Sequence, residues 1–115
     1  MMNERKRALD SLLWFEYPVE RHVVMLSAFT WDTDEEYAFF SVVHIAHVLG
    51  QFIEQRIDAS QVEAWANLIE GRDDIGFERN SEKLLKEVLH ELANPVLGQG
   101  LSMERAGQIL KDISL

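Results

Sequence analysis

Residues 39–57 read FFSVVHIAHVLGQFIEQRI, an apolar-rich stretch that decides the fold. Its apolar side chains recur at the 3.6-residue spacing of an α-helix, and further apolar residues widen the stripe, as in a helix with neighbours on several sides. Thr33 is a good N-cap, and acidic residues follow it where the helix dipole favours negative charge. We therefore predict a central apolar helix over about residues 34–57, with these side chains directed inward: Phe39, Val42, Val43, Ala46, Leu49, Ile53 and Ile57.

Helical patterns continue on both sides of this stretch. Ser60-Gln61-Val62-Glu63 reads as a capping box that opens a helix, and Gly71 is a suitable stop. With only 6 Gly and 2 Pro among 115 residues, long irregular segments are not expected. Further helices are predicted over residues 3–14, after Pro18, over 81–93 and from Ser102 onward. The expected fold is all-α, a compact bundle of five to six helices that forms a single domain over residues 1–115.

The net charge is concentrated in one part of the chain. Eleven Lys and Arg oppose twenty Asp and Glu, which gives a formal charge of −9. Residues 1–31 and 79–115 are each neutral, whereas residues 32–78 hold two bases and eleven acids, so they carry the whole imbalance. Concentrated carboxylates repel one another and contribute nothing to a fold. They form either a solvated face that aids solubility or a docking surface for a basic partner.

Composition and motifs argue against several functional classes. Zero cysteines exclude disulfides, thiolate zinc sites and cysteine nucleophiles. The acidic balance disfavours direct binding to nucleic acid or to anionic membranes, and the longest apolar run is too short to cross a bilayer. No nucleophile elbow, phosphate-binding loop or zinc-protease signature occurs, so we predict that the protein is no enzyme and has no cofactor. We expect it to be cytoplasmic.

Two histidines on the central helix are the strongest candidates for a metal site. His44 and His47 lie at positions i and i+3, a spacing that can direct two imidazoles at one ion. A third ligand is not evident from the sequence. Histidines on an apolar helix more often bond locally, and we therefore predict no metal site.

The acidic residues of the middle segment are the candidate binding residues. Four crowd the expected start of the central helix, two lie two turns apart on the next helix, and three follow in the loop 72–80. If these groups meet in space, they form one patch that would attract a basic partner. The predicted partner-binding residues are Asp32, Asp34, Glu35, Glu36, Glu63, Glu70, Asp73, Asp74 and Glu78.

Two strings in the second half of the chain indicate a family. WANLIEGRDDIGFE (Trp65 to Glu78), then ELANP (Glu91 to Pro95) and a capped final helix, resemble small acidic helical immunity proteins of bacterial contact-dependent growth inhibition systems. The similarity covers the chain from about Trp14 onward, and EGRDDIGFE is its most specific part. This string marks either the fold or the toxin contact.

The resemblance implies a function without catalysis. Such a protein is an all-α antitoxin that binds the secreted C-terminal toxin domain of a neighbouring cell's inhibition protein and blocks it. Such toxins are commonly nucleases that act on tRNA or DNA. The alternative is a regulatory or adaptor protein that docks a basic cellular partner, because an acidic surface alone does not distinguish the two.

Overall fold

The computed structural model describes residues 3–113 and is mainly helical, with one small sheet. The first two and last two residues of the predicted domain lie outside the described range. The helices are α1 (Glu4–Leu13), α2 (Val19–Leu26), α3 (Val42–Ile53), α4 (Ala59–Ile69), α5 (Glu82–Ala93) and α6 (Met103–Ile113). The strands are β1 (Ala38–Phe40) and β2 (Ile75–Phe77), and short 3₁₀ turns cover Arg79–Ser81 and Pro95–Leu97.

The helices pack in pairs around one apolar core. Helix α4 packs on α5, α3 on α6, and α1 on α2. Trp65 of α4 is fully buried at the centre, where its indole Nε1 donates a hydrogen bond to the carbonyl of Leu12 at 2.7 Å. The radius of gyration is 13.6 Å, close to the roughly 13 Å expected of a compact chain of this length. A compact, mostly helical fold is thus confirmed.

The two-stranded sheet was not predicted. Strands β1 and β2 pair in parallel, with Ala38 opposite Ile75, Phe39 opposite Gly76 and Phe40 opposite Phe77. Ala38 and Phe40 are fully buried, whereas Phe39 between them is 56% exposed. This alternation is the period of a strand, and it was hidden in the sequence by the helical stripe that follows directly.

Helix α3 is shorter than the predicted central helix over residues 34–57. It begins at Val42, because Ser41 is its N-cap residue and Nδ1 of His44 accepts a hydrogen bond from Ser41 N at 3.0 Å. It ends at Ile53, and two residues later the backbone of Gln55 is left-handed, with φ 65°. The predicted cap at Thr33 is therefore wrong, and so is the inward placement of Phe39, Val43, Ala46 and Ile53, all of which are exposed.

The start of α4 also differs from the prediction, whereas its end agrees. Asp58, not Ser60, is the N-cap: its carboxylate accepts from Gln61 N at 2.9 Å, and the Gln61 side chain accepts from Asp58 N at 2.9 Å. Gly71 follows the last turn with φ 89°, which a residue with a Cβ adopts only at a cost. Ser102 caps α6 as predicted, since its hydroxyl accepts from Arg105 N at 3.0 Å.

Candidate protein-binding surface

The sheet brings two acidic segments of the chain side by side. Asp73 N donates to the carbonyl of Trp31 at 2.9 Å, and Tyr37 N donates to the carbonyl of Asp74 at 2.8 Å. The loop from Trp31 to Tyr37 therefore runs along the segment that leads into β2. The acidic residues before β1 and those before β2, two of the three groups expected to form one patch, therefore lie side by side.

Five carboxylates on these segments are exposed, and we call them the acidic surface: Asp32, Asp34, Glu35, Glu36 and Asp73. Among residues 3–113, the ion pairs of lysine, arginine and histidine involve none of these five. The neighbouring Glu35 raises the pKa of Tyr37, through side-chain hydrogen bonding first and its negative charge second. The five carboxylates thus have no direct ion pair in the described chain, and the two arginines that lie over Trp31 and Tyr37 both bind the buried Asp74.

Asp74 belongs to the interior instead. Its side chain is fully buried and accepts two hydrogen bonds from Arg72, each at 2.9 Å, and one from Arg5 Nε at 3.0 Å. Burial acts to raise the pKa of Asp74, but the hydrogen bonds and positive charges of Arg72 and Arg5 outweigh it, so the pKa is lowered. Asp74 is inaccessible to a partner, and we leave it out of the binding surface.

The remaining three predicted residues lie in different places. Glu78 is partly buried beside the acidic surface, and its Oε2 accepts from Val42 N at 3.4 Å. Glu70 is paired with His90, whose Nδ1 lies 2.8 Å from Oε2 of the glutamate. Glu63 lines a separate depression with Glu91 and Leu101, away from the acidic surface.

A groove of about 600 Å³ adjoins the acidic surface on the outer face of the sheet. Glu36, Asp73 and Glu78 line it together with Phe39, so it joins three predicted acidic residues to an exposed ring. Gly76 is the strand partner of Phe39, and a Cβ at this position would lie only 2.8 Å from the carboxylate of Glu36 and from Cδ1 of Phe39. The absence of a side chain at position 76 is what lets these two groups lie against the sheet.

Two aromatic residues of this region were not among the predicted binding residues. Trp31 is 42% exposed, with the guanidinium of Arg72 over its ring at 4.9 Å, and Phe39 is 56% exposed. Large aromatic side chains are enriched where proteins contact one another. No local signal identifies Phe39, because Tyr37-Ala-Phe-Phe-Ser41 fits a helix as well as a strand, and only the strand period places Phe39 on the opposite face from Phe40.

The two candidate metal ligands have other partners. His44 Nδ1 accepts a hydrogen bond from Ser41 N at 3.0 Å, and its ring stacks on Phe40 with centroids 5.9 Å apart. His47 Nε2 lies 3.2 Å from the side-chain nitrogen of Gln51, and Trp14 packs edge-on to both imidazoles. Burial lowers the pKa of His44, against the opposing charges of Asp10 and Glu78. Within residues 3–113, no group of three or more histidine or acidic side chains is arranged to hold a metal ion.

None of the helices in the described range is both long and apolar enough to span a membrane. Comparison with known proteins finds no matching family model, no matching curated protein and no matching solved structure.

Proposed function

We propose that this chain is an immunity protein, an antitoxin that binds a cognate toxin domain through the acidic surface and neutralises it in the cytoplasm. The observation that carries the proposal is the convergence of five exposed carboxylates from two distant segments, 32–36 and 73, without a paired cation among the described residues. The resemblance of WANLIEGRDDIGFE to immunity proteins gives the partner its class: the C-terminal toxin domain of a contact-dependent inhibition protein.

The electrostatics favour a basic protein as the partner. Uncompensated charges of one sign on one face create a long-range field that steers an oppositely charged protein and raises its association rate. A nuclease domain carries basic residues where it holds nucleic acid, because phosphates are bound mainly by lysine and arginine. An acidic surface that covers those residues blocks the substrate site without any chemistry of its own.

The fold supports the use of the acidic surface for docking. The buried Asp74 lies next to Asp73, and its ion pairs with Arg72 and Arg5 join the acidic segment to helix α1. A docking surface held in one conformation before contact loses less entropy on binding than a mobile one.

Co-expression tests the proposal. The toxin domains to be used are those encoded directly upstream of this gene, with growth rescue and co-purification as the two measurements. The test variant carries Asp32→Asn, Asp34→Asn, Glu35→Gln and Asp73→Asn. The matched control removes the same number of charges from exposed sites elsewhere, through Glu16→Gln, Glu20→Gln, Glu87→Gln and Glu104→Gln.

We expect the wild type and the control to rescue growth and the acidic-surface variant to fail. With purified proteins at low salt, the association rate of the variant should fall by about tenfold or more, and added salt should reduce this difference. Equal rescue by both variants would reject the acidic surface. Failure of every toxin together with capture of a basic cellular protein would favour the adaptor alternative.

A further inference from the structure

The outer face of the sheet carries an aromatic ring that no other element covers. Ala38, Phe40 and Ile75 direct their side chains to the core, whereas Phe39 is 56% exposed and its cross-strand neighbour is Gly76. A single exposed apolar side chain is common on protein surfaces, so the ring matters here only together with the groups beside it. The groove beside it is large enough, at about 600 Å³, to accept one long side chain.

A carboxylate lies directly beside this ring. The Glu36 carboxylate and Cδ1 of Phe39 are each 2.8 Å from the position that a Cβ of residue 76 would occupy, so the two groups are neighbours over Gly76. Asp73 and Glu78 line the same groove. An incoming group therefore meets an aromatic face and negative charge at one place.

The charges that line the groove favour a cation. Of its three basic residues, Arg72 is paired with Asp74 and Lys86 with Glu82, at 2.9 Å each. Arg79 has no ion pair to a described residue, and Arg72 shares Asp74 with Arg5. Four carboxylates, those of Glu36, Asp73, Glu78 and Glu82, therefore line the groove against three bases, an excess of one negative charge.

The protein already uses arginine on aromatic rings of the same kind. The guanidinium of Arg5 lies 4.9 Å from the ring centre of Tyr37, and that of Arg21 lies 3.8 Å from the ring centre of Tyr17. Among residues 3–113, no lysine or arginine lies over the ring of Phe39 in this way. We propose that the groove binds an arginine side chain of the protein partner, stacked on Phe39 and bonded to the carboxylate of Glu36.

Arginine fits this arrangement better than lysine. The planar guanidinium stacks on an aromatic face and donates parallel hydrogen bonds to a carboxylate, whereas an ammonium group is a compact, strongly hydrated charge. A carboxylate alone already gives arginine some advantage through paired hydrogen bonds, and an aromatic face adds a second, separable contribution. A preference for arginine that depends on Phe39 is therefore the signature of this site.

The inference rests on the proposed function in that the arginine belongs to the partner that docks on the acidic surface, yet it can fail separately. If the Phe39→Leu variant of this protein rescues growth as well as the wild type does, the arginine site in the groove is rejected and the antitoxin role is retained. Arginine binding in the groove without rescue by any toxin would do the opposite.

The direct test uses two blocked tripeptides, acetyl-Gly-Arg-Gly-amide and acetyl-Gly-Lys-Gly-amide, titrated into the ¹⁵N-labelled protein. We expect amide shifts confined to residues 36–41 and 75–79, with the arginine peptide bound about twofold to fivefold more tightly than the lysine peptide. Shifts elsewhere, equal affinities for the two peptides, or no binding by either peptide would each overturn the proposal.

Variants identify the groups responsible. Phe39→Leu should reduce the arginine preference and retain weak binding of both peptides, and Glu36→Gln should weaken both. Gly76→Ala adds a Cβ that displaces parts of two side chains, and it should also reduce the preference. Leu97→Ala, at a site that is 71% exposed and far along the chain, is the control and should bind like the wild type. An arginine preference that is undiminished in Phe39→Leu would contradict the stacking.

Discussion

Arg5 Nε donates a hydrogen bond to Oδ2 of Asp74 at 3.0 Å, across a sequence separation of 69 residues. The same carboxylate accepts two hydrogen bonds from Arg72, so one buried acid is shared by two guanidinium groups. Arg5 also donates to the carbonyl of Thr30 at 2.6 Å, next to the loop from Trp31 to Tyr37. This charge cluster joins helix α1, that loop and the segment that leads into β2.

Removing the charge of Asp74 should destabilise the fold strongly. In Asp74→Asn the guanidinium of Arg72, which is 95% buried, loses its counter-charge but stays in the interior. Breaking a buried ion pair from one side costs about 3–5 kcal/mol. Urea unfolding followed by circular dichroism measures the difference in the free energy of unfolding.

The adjacent residue supplies the matched control for this prediction. Asp73→Asn makes the same chemical change at an exposed site and should alter the free energy of unfolding by no more than about 0.5 kcal/mol. Equal effects of the two substitutions would show that the buried cluster contributes no special stability.

Stability should fall on mild acidification because of buried histidine. Burial lowers the pKa of His44 and of His22, so the unfolded chain binds each proton more tightly than the folded one. By linkage, the full contribution is present above the ordinary histidine pKa of about 6.5 and is lost as the pH falls from there to the folded pKa. Protonation of His44 also removes the acceptor that satisfies Ser41 N at the start of α3.

His44→Gln isolates this effect, since glutamine is a usual residue at this position of a capping box and does not titrate. The variant loses ring contacts and is expected to be less stable overall, so the measured quantity is the change in the free energy of unfolding between about pH 7.5 and pH 5.5. That change should be smaller than in the wild type. The exposed His47→Gln serves as the control, and a His44→Gln slope equal to the wild type's would refute the prediction.

Features set by local sequence were predictable in this protein. The helices over residues 4–13, 82–93 and 103–113 agree closely with their apolar periodicity, and the Ser102 cap and the Gly71 stop follow from the chemistry of those residues. The charge imbalance of residues 32–78 could be read directly, and five of the nine predicted binding residues form the acidic surface.

The features that depend on tertiary contacts were not predictable. A parallel pair of three-residue strands is specified by contacts between segments 37 residues apart, and the local pattern at Phe39 and Phe40 fits a helix as well as a strand. Asp74 differs from Asp73 only in its position relative to β2, which decides that one faces Arg72 in the interior and the other faces solvent. Charge counting cannot separate these two neighbours.

The structure and the sequence pattern assign the N-cap of α4 to different residues, Asp58 and Ser60, and substitutions can decide between them. Asp58→Ala removes the oxygen that accepts from Gln61 N, and it should lower the urea midpoint, because that donor then lacks its cap. Ser60→Ala removes a hydroxyl that donates to Asp58 and caps no helix nitrogen, so its effect should be clearly smaller. Parallel urea titrations measure both. A larger decrease of the urea midpoint for Ser60→Ala than for Asp58→Ala would support the predicted capping box that begins at Ser60.

Neutralising the acidic surface should leave the fold intact and stabilise it at low salt. Asp32, Asp34 and Asp73 are exposed carboxylates without an ion pair to a described residue, so their mutual repulsion opposes folding. The variant Asp32→Asn, Asp34→Asn, Asp73→Asn should therefore have a higher thermal midpoint than the wild type at low ionic strength. Salt near 1 M shortens the screening length to about 3 Å and should remove the difference. A lower midpoint would mean that these residues stabilise the fold, and the reason to assign them to a partner would be lost.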